Sequence, residues 1–299
     1  MSRDPLAQQE SRAPFDREPA LSGPGDDPLG FYEMRSEQKP ITSDNPENEK
    51  LYVRMRKWLD VGEADALLDV GCSDGYFLSR FVRDTQPKAI AGLDLSPSRV
   101  KLAQSLHANL PIRFVAGSAE ELPFESDSFS RVIVNEVIEH VPDDERVLRE
   151  VARVACKGAL VYVTFPNALD AMLPIFRSYC RKVDRIEGHL RRYHAADVEA
   201  LARSTGFEVV QLEYSGFLGV FLWYSVVIYN PIVKRIGLKL IGSPGALPKN
   251  EGAQTSRKSP LVSLLKAGVF GLMRFLDAVD APFRQSPLSL GIHVLLRRV

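Results

Sequence analysis

The chain has 299 residues, 45% hydrophobic and 25% charged, with 38 Lys and Arg balanced by 38 Asp and Glu. That composition describes a globular protein with room for one sizeable α/β domain plus additions. Cys72, Cys156 and Cys180 lack CxxC spacing and no signal-peptide pattern follows Met1, so a reducing, cytoplasmic setting is expected and a cysteine-built structural zinc is excluded.

The charge is unevenly placed. Residues 1–50 carry six Lys/Arg against eleven Asp/Glu, whereas residues 216–299 carry eleven against three, so the second end invites an anionic partner. Residues 1–30, rich in Pro, Gly, Asp and Ser without periodicity, read as a disordered leader. Residues 47–59 then place Leu51, Met55, Trp58 and Leu59 at helical spacing, predicting a helix beside the first strand.

Ala66–Val70 reads as a buried parallel strand and runs into Gly71-Cys72-Ser73-Asp74-Gly75, after which a helix is predicted from Tyr76. Two glycines bracketing a strand-to-helix turn let the backbone approach a ligand closely, and the helix amides then face it, which suits a nucleotide. The order is not the G-x-G-x-x-G of a dinucleotide turn. Ala89–Asp94 is a second strand, ending in a carboxylate placed to accept ribose hydroxyls. Ser96 and Pro97 cap and start the helix that follows.

Strand three spans residues 112–116, strand four 131–135 and strand five 158–165, with an amphipathic helix over 143–155. Residues 168–193 read as a long connection bearing Arg177, Arg181, Lys182, Arg185, Arg191 and Arg192, a lid or a solvated face at the ligand edge. A helix over 195–205 and strand six over 207–214 follow, and Leu288–Arg298 supplies a final β-compatible stretch.

Asp69-Val70-Gly71-Cys72-Ser73-Asp74-Gly75 resembles the D-x-G-x-G-x-G motif of class I S-adenosylmethionine-dependent methyltransferases, with Ser73 at the middle glycine, where ordinary turn angles are expected. Gly117-Ser118-Ala119-Glu120-Glu121-Leu122-Pro123-Phe124 resembles the family's G-D-A-E-x-L-P-F segment. Glu136-Val137-Ile138-Glu139-His140 resembles its E-V-[IL]-E-H signature, and His189-Leu190-Arg191-Arg192-Tyr193 its H-x-R-x-[YF] segment. The small-molecule and quinone-type members look most similar.

The resemblance implies an α/β, Rossmann-like seven-stranded sheet with the last strand antiparallel, helices on both faces, and a helical apolar insertion between strands six and seven. The methyltransferase domain then comprises 31–214 and 288–299, the insertion 215–287. S-adenosylmethionine is the implied cofactor, held by Asp69, Gly71, Cys72, Ser73, Gly75, Asp94, Leu95, Ser118, Ala119, Asn135 and Glu136. His189 and His140 are candidate bases or structural histidines, Asn167, Arg192 and Tyr193 candidate substrate contacts, and Tyr32 and Arg35 candidate lid residues. No metal is expected.

Within the insertion, the uncharged run from Tyr214 to Val233 is broken by Gly216, Gly219 and Asn230-Pro231. Trp223, Tyr224 and Tyr229 beside Lys234 and Arg235 suit a membrane interface. Over Leu261–Val279, Ser263, Lys266, Arg274 and Asp277 fall within about 80° on a helical wheel, leaving a wide apolar face. Three roles stay open for 216–279: peripheral membrane contact at the inner face of the membrane, internal core, or homodimerisation.

The expected function is methyl transfer to a small-molecule acceptor, hydrophobic or lipid-linked, the alternative being a catalytically inactive S-adenosylmethionine-binding module. Nucleic acid is not an expected partner, because residues 135–138 depart from the [ND]-P-P-[YFW] pattern of base methyltransferases.

Overall fold

The computed structural model describes residues 46–172, 174–216 and 280–299, together with positions 271, 275 and 278. The expected leader, Tyr32, Arg35 and the two apolar stretches lie outside those residues, apart from those three positions.

Six helices and seven strands are seen among the described residues. Helix α1 is Pro46–Leu59, strand β1 Ala66–Val70, α2 Tyr76–Thr85, β2 Ala89–Asp94, α3 Pro97–Leu106, β3 Arg113–Ala116 and β4 Phe129–Val134. After a 3-10 turn at Ile138–His140 come α4 Asp144–Val154, β5 Ala155–Pro166, α5 Pro174–Glu187, α6 Ala195–Ser204, β6 Phe207–Ser215 and β7 Gly291–Arg298. The strands form one sheet in the order β3-β2-β1-β4-β5-β7-β6. All neighbours through β5 are parallel, and β7 runs antiparallel to both β5 and β6.

Side chains alternate between the two faces of a strand, and the core divides accordingly. Leu68, Val70, Val132, Val134, Val161 and Val163 join Val147, Leu148 and Val151 of α4 and Val198 and Ala202 of α6. Their neighbours Leu67, Ile133, Tyr162 and Leu295 join Met55 and Trp58 of α1, Phe77, Leu78 and Phe81 of α2, and Val100 and Ala103 of α3 on the other face. Both faces of the parallel part are thus covered, which its near-continuous apolar strands require. Helix α1 extends across this second face as far as β5, with Trp58 edge-on to Tyr162 at 5.7 Å.

The connection over 168–193 differs from the expected open lid. It contains α5, and a bridge between Asn167 and Tyr193 ties its two ends together, with Ala168 N–H donating to the Tyr193 carbonyl and Tyr193 N–H to that of Pro166, both at 2.9 Å. The arginines divide. Arg191 and Arg192 turn into the fold, while Arg181, Lys182 and Arg185 remain exposed.

Candidate functional site

The chain runs from β1 to β2 and β3 on one side, then returns to β4 on the other side of β1. Such a switch point opens a crevice at the carboxyl ends of the strands. The turn at 71–75, Asp94, Ser118-Ala119 and Asn135-Glu136 follow the ends of β1, β2, β3 and β4, so the topology brings the expected cofactor residues to one sheet edge.

The turn is fixed by sterics. Gly71 has φ +79, and a Cβ there would meet Val137 Cγ2 at 2.3 Å; Gly75 has φ +76, and its Cβ would meet the Phe114 ring at 2.6 Å. Ser73 does not take ordinary turn angles: its φ is +49, the left-handed region a glycine would enter more easily. Its backbone N–H donates to Asp94 Oδ2 at 2.8 Å, while Asp94 Oδ1 accepts the Ser96 N–H at 2.9 Å. Asp94 is thereby aimed by β2 and locked to the turn, and its carboxylate retains lone pairs for further donors. Gly71 and Cys72 both donate to the Leu93 carbonyl, at 2.7 and 2.9 Å, welding the turn to β2. Gly75 caps α2 with no side-chain acceptor, which leaves that helix end suited to an anionic group.

The remaining expected residues are placed as follows. Asp69 is 2% exposed beneath the turn, and burial, then Asp94, push its carboxyl well above the usual carboxylate range. Cys72 is also buried. Leu95 is half-buried after β2. Ser118 Oγ accepts the Glu120 N–H at 3.1 Å, and Ala119 packs into the core. Glu136 has a left-handed φ of +53 and donates its N–H to Thr164 Oγ1 at 2.8 Å; the Thr164 hydroxyl reaches Glu136 Oε1 at 3.0 Å and Asn135 Oδ1 at 3.4 Å.

The candidate substrate residues are engaged inside the fold. Asn167 donates to the Pro287 and Ser289 carbonyls at 2.7 and 2.6 Å. Arg192 grips Asp184 through Nε and Nη2 at 2.9 and 2.7 Å, and the Tyr193 hydroxyl donates to Asp144 at 2.9 Å. These bonds give all three a structural task in holding α5 and the chain end near β7.

His140 and His189 come together across 49 residues of sequence, their rings edge-to-face at 4.9 Å. His189 Nδ1 meets Asp184 Oδ1 at 2.9 Å, and His140 Nδ1 meets the Gly188 carbonyl at 3.3 Å. Beside them Glu139 is wholly buried, and burial, then Glu136, push its carboxyl well above the usual range. Glu139, Thr164 and Asp184 are members of this edge that sequence reasoning passed over. Glu139 stood inside the quoted signature, and Asp184 lies five residues before His189.

Residues 68–163 match the family model described as a methyltransferase domain. A phthiotriol/phenolphthiotriol dimycocerosates methyltransferase of Mycobacterium leprae is 33% identical over 141 residues, 45% of this chain and 52% of that protein. Ajmaline N-methyltransferase of Rauvolfia serpentina is 35% identical over 103 residues, 32% of this chain and 34% of that protein. This chain therefore spans about half or less of the length of the curated relatives it matches. Among solved structures, a Haemonchus contortus phosphoethanolamine N-methyltransferase in complex with S-adenosyl-L-methionine superposes with a TM-score of 0.56 at 14% identity, over 90% of this chain and 56% of that one, and shows the shared fold. With the glycine turn, the strand order and the matched segment in agreement, the chain carries a methyltransferase domain of the class I S-adenosylmethionine-dependent family.

Proposed function

We propose that the protein transfers the methyl group of S-adenosylmethionine to a small hydrophobic acceptor. The observation that carries this reading is the Gly71–Gly75 turn locked to Asp94 within the matched segment. The cofactor would supply an electrophilic methyl group on a sulfonium. The chain's own residues bind and orient: the turn gives close backbone approach, the uncapped start of α2 suits a carboxylate, and Asp94 suits ribose hydroxyls. Ser118, Ala119, Asn135 and Glu136 would line the rest of the cofactor site from β3 and β4. Alignment and exclusion of water are then the protein's main contribution to rate.

The acceptor class is drawn from two supports. The relatives' names pair a mycobacterial lipid and an alkaloid with methyl transfer. The region 216–279 is apolar and basic in sequence, so we place peripheral membrane contact there; among the described residues no helix is long and apolar enough to cross a membrane. Calorimetric titration with S-adenosylmethionine, followed by transfer of labelled methyl into an organic extract, tests the reading. Cofactor binding with label in a hydrophobic product is expected, and absence of cofactor binding overturns it. Flotation with anionic vesicles tests the membrane contact, which fails if the full chain stays unbound.

A further inference from the structure

One cluster at this sheet edge holds more polarity than its hydrogen bonds satisfy. Glu139 is 0% exposed, and neither of its carboxylate oxygens has a hydrogen-bond partner among the described residues. Leaving such a group buried without compensation is costly, so its surroundings indicate what compensates it. Those surroundings are two imidazoles: one ligand atom from each of Glu139, His140 and His189 lies within 4.8 Å of the others, and Glu139 Oε1 is 3.9 Å from His140 Nε2.

Both rings are oriented from behind. The Gly188 carbonyl can only accept, so His140 Nδ1 carries a hydrogen and Nε2 the lone pair. His189 Nδ1 faces the Asp184 carboxylate, which fixes the same tautomer, and Arg192 holds that carboxylate in turn. A carboxylate or carbonyl behind each imidazole is the arrangement that sets a histidine for metal ligation and raises its basicity. The backbone is pinned as well, with Leu190 N–H donating to the Glu139 carbonyl at 2.8 Å, so the two segments bearing the ligands are tied together.

We propose that Glu139, His140 and His189 form a binding site for a divalent transition-metal cation of the zinc or manganese class. Two imidazoles and one carboxylate suit these ions better than magnesium or calcium, which favour all-oxygen shells. Bonds of about 2.0–2.2 Å require the donors to close by about 1 Å, within reach of side-chain rotation. Three protein ligands leave coordination positions open for water or for an oxygen of a hydroxyl-bearing acceptor. The acceptor clause rests on the methyl-transfer reading; the metal site does not. The sequence expectation of no metal followed from cysteine spacing, and this site uses no cysteine. It adjoins the donor turn, since Val137, two residues before Glu139, is the side chain that a Cβ at Gly71 would strike.

The test uses the full chain, stripped with chelator and without S-adenosylmethionine. Titration with Zn2+ by calorimetry and with Mn2+ by electron paramagnetic resonance is expected to give one equivalent bound at micromolar or tighter affinity. E139Q and H189Q, checked for folding by circular dichroism, are expected to weaken binding at least 100-fold, while D94N leaves it intact and loses affinity for S-adenosylmethionine. No stoichiometric binding by the folded wild type, or undiminished binding by both variants, overturns the site. Should the variants fail to fold, histidine NMR signals of the wild type decide: two imidazoles must shift together on addition of Zn2+, and unchanged signals refute the proposal. Because the metal is titrated without cofactor, failure here is distinguishable from failure of methyl transfer.

Discussion

The Ser73 backbone N–H donates to Asp94 Oδ2 at 2.8 Å, joining the turn after β1 to the end of β2. Asn at position 94 keeps one carbonyl acceptor for two amide donors, so either Ser73 or Ser96 then faces an NH2 group. D94N is expected to lower S-adenosylmethionine affinity at least 10-fold and stability by about 1–2 kcal/mol, read by calorimetry and urea unfolding.

Serine at the left-handed position 73 costs conformational energy that glycine does not incur. S73G should therefore raise stability by about 0.5–1 kcal/mol, seen as a rise of roughly 1–4 °C in Tm, with the Asp94 bond retained.

Gly71 tolerates no side chain. G71A brings a methyl to 2.3 Å of Val137 Cγ2 at a φ of +79. A loss of about 2–4 kcal/mol in thermal or urea unfolding is expected, with cofactor binding abolished in whatever fraction remains folded.

Asp184 and Arg192 are a buried pair, with side-chain exposures of 0% and 11%. R192M strands the carboxylate with His189 alone, and D184N strands the guanidinium. Each should cost about 3–5 kcal/mol by denaturant unfolding, and the double variant less than the sum.

His293 carries the clearest pH signature. Tyr162 Oη and Ser215 Oγ bracket its ring at 2.7 Å each, and burial, then Arg54, hold its pKa well below 6.5. Below pH 6.5 the unfolded chain binds a proton that the folded chain refuses. The stability present above that pH is therefore lost as pH falls, by up to about 1.4 kcal/mol per unit. Urea unfolding of wild type and H293Q from pH 7.5 to 5 should show a slope shallower by about one proton in the variant.

The donor side was legible because its signals are local. Glycines at 71 and 75, a carboxylate ending β2 and a Ser-Pro helix start each declare their geometry within a few residues. Helix α5 was legible too, though it was read as a lid: Arg177, Arg181 and Arg185 recur every four residues, as do buried Cys180 and Asp184 on another face. The pairing of Asp184 with Arg192 and the meeting of His140 with His189 depend on the chain folding back through the Asn167–Tyr193 bridge. No spacing announces that return. The angle at Ser73 escaped for a different reason: residue type suggested an ordinary turn, and the strand-to-helix geometry overrode it.

Strand β7 lies between β5 and β6, so β6 joins the sheet only through a strand translated long after it; Ser215 and His293 meet across 78 positions. During synthesis β6 waits with an open edge, and removing residues 291–298 would leave that edge exposed to wrong partners. Yet closing a long loop costs only about 0.6 kcal/mol more per doubling of its length. The chain between these strands is thus free to lengthen, shorten or change composition over evolutionary time with little penalty to the sheet, and acceptor preference can diversify there while the donor turn stays as it is.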